Sequence, residues 1–140
     1  MTTFKATPMT RLHFEAVVSL LQELSVFEPS PEVFDEIWTR FSTQPNSFPL
    51  VVISEGDVIG FAVLLVESKV RGGKMGHIED VVSHPNFRGL GVGRFLISEL
   101  TDIASRMGCY KVALHCQKHN VEFYEKCGFD SNGSSMQKFL

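Results

Sequence analysis

Residues 88–94, Arg88-Gly89-Leu90-Gly91-Val92-Gly93-Arg94, limit what this chain can fold into more than any other stretch. They follow an extended apolar run at 78–83 and lead into apolar residues at helical spacing through 107. A strand, a glycine-rich loop and a helix must therefore follow one another there. Such a loop turns several backbone N–H groups outward with no side chain in the way. At a helix N-terminus those unpaired donors meet the positive end of the helix dipole, which suits phosphate oxygens. A glycine turn with no ligand has the same local spelling, so context must separate the two.

Three kinds of phosphate loop compete for this spacing. A P-loop ends in Gly-Lys-Ser/Thr, and Gly93-Arg94-Phe95 does not. A dinucleotide loop reads G-x-G-x-x-G and needs an acid near the end of the next strand. Here the glycines run G-x-G-x-G, and the expected strand at 110–116 carries His115 in that place. The third kind is the Arg/Gln-x-x-Gly-x-Gly loop that cradles the pyrophosphate of coenzyme A. Arg88, Gly91 and Gly93 fit it, with Gly89, Leu90, Val92 and Arg94 completing the cradle.

Composition narrows the classes further. The 140 residues suit one domain, 1–140, burying roughly two-thirds of the surface of the unfolded chain. A net charge of −3 leaves no footprint for nucleic acid, and no apolar run reaches the length that spans a bilayer. Residues 1–14 hold no apolar signal-peptide core and the last three are not Ser-Lys-Leu, so an intracellular, cytoplasmic location is expected, with a microbody left open. Cys109, Cys116 and Cys127 show no C-x-x-C pairing, which points to free thiols in a reducing compartment and to no metal site.

Along the chain the spacing predicts a first strand at 2–6, a helix at 11–25 and a second helix at 30–41 opened by Ser30-Pro31. Strands at 50–53 and 58–66 flank the hairpin signal Glu55-Gly56-Asp57, and a third strand at 76–83 extends an antiparallel meander. A helix at about 91–107, a strand at 110–116, a short helix from Asn120 and a last strand within 135–140 follow. The order βααβββαβαβ is a mixed α/β (α+β) fold.

These elements, with Arg-x-x-Gly-x-Gly heading the long helix, resemble the GNAT superfamily of N-acetyltransferases. The blocks Gly76-His77-Ile78-Glu79-Asp80, Gly108-Cys109-Tyr110-Lys111 and 120–129 narrow this to its glucosamine 6-phosphate N-acetyltransferases. The resemblance implies a GNAT fold with splayed central strands, acetyl-CoA as co-substrate and no metal. It also implies acetyl transfer to the 2-amine of glucosamine 6-phosphate in a ternary complex, on the route to UDP-N-acetylglucosamine. A homodimer with shared active sites comes with the same resemblance.

Residue by residue, the resemblance implies that backbone groups near Val81 and Val82 hold the pantetheine arm and polarise the thioester. Tyr124 corresponds to the tyrosine that protonates the leaving thiolate, and Asn120 caps its helix while meeting the coenzyme. Glu79, Asp80 and Val81 fall at the sugar, with Glu79 also a water-mediated base. On a regular strand Glu79 and Asp80 point to opposite faces, so they form no carboxylate pair. Tyr110 and Lys111 match a substrate-contacting pair, Lys69 and Arg71 match a segment lent to the neighbouring subunit, and Ser25 offers a hydroxyl contact.

His115 stands where such enzymes carry an acid, close to the substrate amine. It either accepts the amine proton or is a packed histidine. His77, His84 and His119 read as surface or packed residues, and Lys138 lies one position from an arginine some of these enzymes carry. Two other readings remain: a GNAT enzyme for a different amine (polyamine, aminoglycoside or protein lysine), and a non-catalytic acyl-CoA-binding module. The cations Lys69, Arg71 and Lys111 oppose a cationic acceptor, and Tyr124 with Glu79 and Asp80 opposes a silent module.

Overall fold

The computed structural model describes residues 3–140, so Thr2 of the expected first strand lies outside them. The elements are β1 (Lys5–Pro8), α1 (Phe14–Leu21), α2 (Phe34–Ser42), β2 (Ser47–Ser54), β3 (Asp57–Ser68), β4 (Lys74–Ser83), α3 (Val92–Arg106), β5 (Cys109–Leu114) and α4 (Val121–Lys126). Short 3-10 turns lead into α1, α2 and α4, so α1 and α2 begin later than their apolar spacing suggests, and α1 ends at Leu21 rather than at 25. The sheet order is β1-β2-β3-β4-β5, with β4 and β5 parallel and all other neighbours antiparallel. Among the described residues no helix is long and apolar enough to cross a membrane.

Period-2 alternation in the central strands feeds two cores, one on each face of the sheet. Leu50, Val52, Ala62 and Leu64 meet Val92, Leu96 and Leu100 of α3. Val51, Phe61 and Val63 turn the other way, onto Phe14, Val17 and Leu20 of α1. Gly60 lets α3 approach closely, because a Cβ there would stand 2.7 Å from Val92 Cγ1 and 3.2 Å from Leu96 Cδ1. The start of α3, and with it the glycine loop, is thus pinned to the first half of β3.

Two features set the site. First, β4 carries a bulge: Phe61 pairs with Val82 and Val63 with Glu79, so three steps on β4 oppose two on β3. Asp80 absorbs the extra residue at φ 55°, a left-handed conformation that Asp tolerates better than most side chains. The expected strict alternation of Glu79 and Asp80 is therefore broken, and both are exposed. Second, β4 and β5 pair from Lys74 opposite Cys109 to Ile78 opposite Leu114, and no further. The bulge turns β4 away just where pairing stops, and the central strands part.

The expected last strand at 135–140 does not form. Residues 130–140 are exposed, with no hydrogen bond to the outer edge of β5, because nothing else in one chain packs over their apolar side chains. The expected strand at 110–116 likewise ends at Leu114, since β4 has already departed and offers residues 115 and 116 no partner.

Candidate active site

The loop at the head of α3 is glycine-rich and leaves backbone amides open at the helix start. Gly89 and Gly91 adopt φ 82° and 85°, which side chains disfavour, while a Cβ at either would meet no neighbour. Their glycines answer to backbone conformation alone. Gly93 differs: a Cβ there would stand 3.1 Å from Phe123 Cζ, so it is small to let α4 lie against α3. Among the described residues no acceptor engages the amides of 89 and 91–94, which remain open donors at the helix start. Leu90 N donates to Phe87 O at 3.4 Å, and Leu90 is exposed. Arg94 reaches the carbonyl of Lys126 at 3.4 Å and so ties α3 to the end of α4. Arg88, expected at the coenzyme, pairs with Glu23 at 2.9 Å.

Beside the loop, Val81 and Val82 occupy the end of β4 just past the bulge, and pack into opposite cores. Asp80 is exposed by area, yet enough protein surrounds its carboxyl that desolvation raises its pKa above the usual aspartate value. Glu79 lies opposite Val63, whose side chain enters the α1 core, so Glu79 shares the α1 face of the sheet.

Tyr124 is half-buried, stacked edge-on against Phe123 at 4.9 Å and Phe129 at 6.0 Å. Burial pushes its pKa up to about 12, with smaller contributions from Cys116 and Cys127. It lines an open groove of about 700 Å³ that runs along the outer edge of β5, together with His115, Cys116, Lys111 and the first part of the tail. His115 is exposed and lies beyond the strand, not within it. Asn120 stands at the N-terminus of α4, but its side chain makes no capping hydrogen bond, so the expected cap is absent.

The basic residues gather elsewhere. Tyr110 is exposed, with the Lys111 ammonium 5.6 Å from its ring centroid and its ring edge over Gly73 of the β3–β4 turn. Lys69 lies in that turn and pairs with Glu67 at 3.1 Å, and Glu67 also takes His77 Nε2 at 2.8 Å. These two partners hold the Glu67 carboxyl below its ordinary pKa. Arg71 is exposed beside them, and Lys74 reaches Met107 O at 3.3 Å. From Lys74 to Asp80 the strand runs roughly 20 Å at ~3.3 Å per residue. One chain therefore does not bring Lys69 and Arg71 to Glu79, Asp80 and Tyr124. Ser25 is exposed in the turn after α1.

Two participants escape a reading of the sequence: Glu23, which holds Arg88, and Phe123, which seats α4 on Gly93. No local pattern marks Glu23, because its partner lies 65 residues away. The slip at Asp80 does leave a trace, since two adjacent acids followed by two adjacent valines cannot alternate regularly.

Comparison with known proteins settles the family. The model of the acetyltransferase (GNAT) family matches residues 14–129. The chain belongs to the GNAT acetyltransferase family, in its glucosamine 6-phosphate N-acetyltransferase branch. The glucosamine 6-phosphate N-acetyltransferase of Candida albicans is 36% identical, over 96% of this chain and 93% of its own length. Glucosamine 6-phosphate N-acetyltransferase 1 of Dictyostelium discoideum is 38% identical, over 86% and 80%. The crystal structure of the Arabidopsis thaliana glucosamine-6-phosphate N-acetyltransferase superposes with a TM-score of 0.89 at 33% identity, covering 99% of both chains.

Proposed function

We propose that this GNAT protein transfers the acetyl group of acetyl-CoA to the 2-amine of D-glucosamine 6-phosphate, giving N-acetyl-D-glucosamine 6-phosphate and CoA. The observation that carries the reading is the parting of β4 from β5 immediately before a loop whose amides are open. The residues fit acetyl-CoA: donors at 89 and 91–94 suit a diphosphate, and the gap beyond Ile78 and Leu114 suits a thin arm. The acceptor is the one named for the Candida and Dictyostelium relatives.

The chain's contribution is placement and electrostatics. Holding both substrates makes the amine's attack on the thioester effectively intramolecular, so no covalent enzyme intermediate is needed. A bulge frees backbone donors from the ladder, and those near Val81 and Val82 face the carbonyl as charge develops on its oxygen. Tyr124, with its pKa at about 12, keeps its hydrogen at neutral pH. Tyr124 thus presents an O–H that protonates the departing thiolate and regains its proton from solvent, while the amine's proton leaves by a separate path. His115 shares the groove of Tyr124, on the thiolate side, whereas Glu79 lies on the α1 face. That division favours Glu79, acting through water, as the acceptor of the amine proton.

The sugar phosphate needs cations that one chain holds too far away. We therefore assign a homodimer in which the turn carrying Lys69 and Arg71 reaches the neighbour's Glu79 and Asp80, with Tyr110 and Lys111 alongside. The open edge of β5 and the free apolar residues of the tail support such pairing, because unpaired strand edges seek partners. The free thiols suit a reducing cytoplasm, and the product suits a step toward UDP-N-acetylglucosamine. Acetyl-CoA turnover measured with glucosamine 6-phosphate, glucosamine, spermidine and a lysine peptide tests the reading. The phosphorylated sugar is expected to react fastest; a faster rate with unphosphorylated glucosamine removes the phosphate assignment.

A further inference from the structure

We infer that Glu23 is a positioning residue that fastens the turn 22–27 to the coenzyme loop through Arg88, so that coenzyme binding helps to shape the acceptor side of the site. The inference rests on the coenzyme reading above and extends it to a segment with no role so far beyond Ser25. Arg88 Nη2 donates to Glu23 Oε1 at 2.9 Å, across 65 residues of sequence. Among the described residues only that nitrogen of the guanidinium is engaged. The rest of its fork is free for a diphosphate seated on the neighbouring amides, and a planar guanidinium can serve two anions at once.

The other end of this brace is stiff. The Gln22 carboxamide donates to Val18 O at 2.9 Å and to Phe27 O at 2.8 Å, and accepts from Phe27 N at 3.0 Å. A displacement of Glu23 is thus passed to the whole turn, which holds Leu24, Ser25, Val26 and Phe27 at the surface. Leu20 and Glu23 also share a groove of about 450 Å³ with Ile59 and His84, which places the base of the turn beside the end of β4. Glu79 projects on this same face. A diphosphate that orders Arg88 therefore orders Glu23, and through Gln22 the rim of the acceptor side. Reciprocity follows, because a bound acceptor that steadies the turn tightens the coenzyme by the same factor.

Hydrogen exchange with CoA alone tests this without relying on the acceptor. In the wild-type chain CoA is expected to slow exchange of amides 89–95 strongly and of 24–27 by about two- to fivefold, the scale of an exposed ion pair. Glu23→Gln is expected to keep the first effect and lose the second, and Glu23→Asp to recover part of it. Protection of 89–95 with no change at 24–27, or an undiminished effect in Glu23→Gln, overturns the brace and leaves the coenzyme site standing. No protection in either segment removes the coenzyme reading as well.

Discussion

Leu96 and Leu100 of α3 are fully buried against the sheet, whereas Met136, Phe139 and Leu140 of the tail stand almost wholly in solvent. The contrast runs through the whole site. The coenzyme half is finished within one chain: β4, its bulge, the glycine loop and α3 are joined by a continuous core, and Gly60 and Gly93 set the distances. The acceptor half is not. Its cations sit in the β3–β4 turn, its strand edge is open and its last apolar residues have nothing to cover them. Under the proposed dimer the chain would bind its coenzyme alone and its acceptor in company, and variants can tell the two kinds of defect apart.

The largest effect should come from Tyr124, proposed above to meet the leaving thiolate. Tyr124→Phe keeps the ring against Phe123 and Phe129, and is expected to lower kcat by about a hundredfold or more while acetyl-CoA affinity holds. Steady-state kinetics with calorimetry checks this, and an unchanged kcat would move the work elsewhere. Ending the chain at Gly133 should turn a dimer into a monomer by sedimentation and raise the acceptor KM by roughly ten- to a hundredfold, the scale of lost charged hydrogen bonds. Acetyl-CoA affinity that fell equally would erase the distinction between the halves. Mixing Tyr124→Phe chains with Lys69→Ala/Arg71→Ala chains sharpens it: random two-fold dimers should regain about a quarter of wild-type turnover if sites are shared.

Gly91→Val acts on the other half, forcing a side chain into a left-handed conformation that costs about 1–2 kcal/mol. Acetyl-CoA affinity should fall by roughly tenfold in calorimetry, with the oligomeric state unchanged. The smallest effect is expected at Asp80. Its pKa is raised in the folded chain, so its stabilising contribution is full below the unfolded value and is lost as pH rises through the folded one. Asp80→Asn should therefore raise the melting temperature at pH 7 by about 1–2 °C, while sugar turnover falls. A melting temperature that drops instead would mean the carboxylate is held by favourable contacts.

Much of the coenzyme half could be read in the sequence, because its signals are local. Glycine spacing, helical periodicity in 92–106 and the Glu55-Gly56 turn each act within a few residues, and each appears where expected. What escaped depends on distant partners. Residues 115 and 116 look like strand until β4 leaves them unpaired, and 135–140 look like strand although nothing among the described residues pairs with them. Asn120 carries a capping residue's chemistry, yet the preceding 3-10 turn takes up the chain direction and its side chain makes no cap. The Glu23–Arg88 and Glu67–His77 pairs join residues whose neighbourhood only the fold creates.

One surplus amino acid in β4 has a consequence for how such a reaction chamber could arise. With Asp80 deleted, Glu79 and Val81 would follow one another in even pleats, and the ladder between β4 and β5 could continue past Ile78 and Leu114. The slot for the thioester would zip closed, and a well-knit but inert sheet would remain. The slot thus depends on one residue, placed a few positions before the glycine loop.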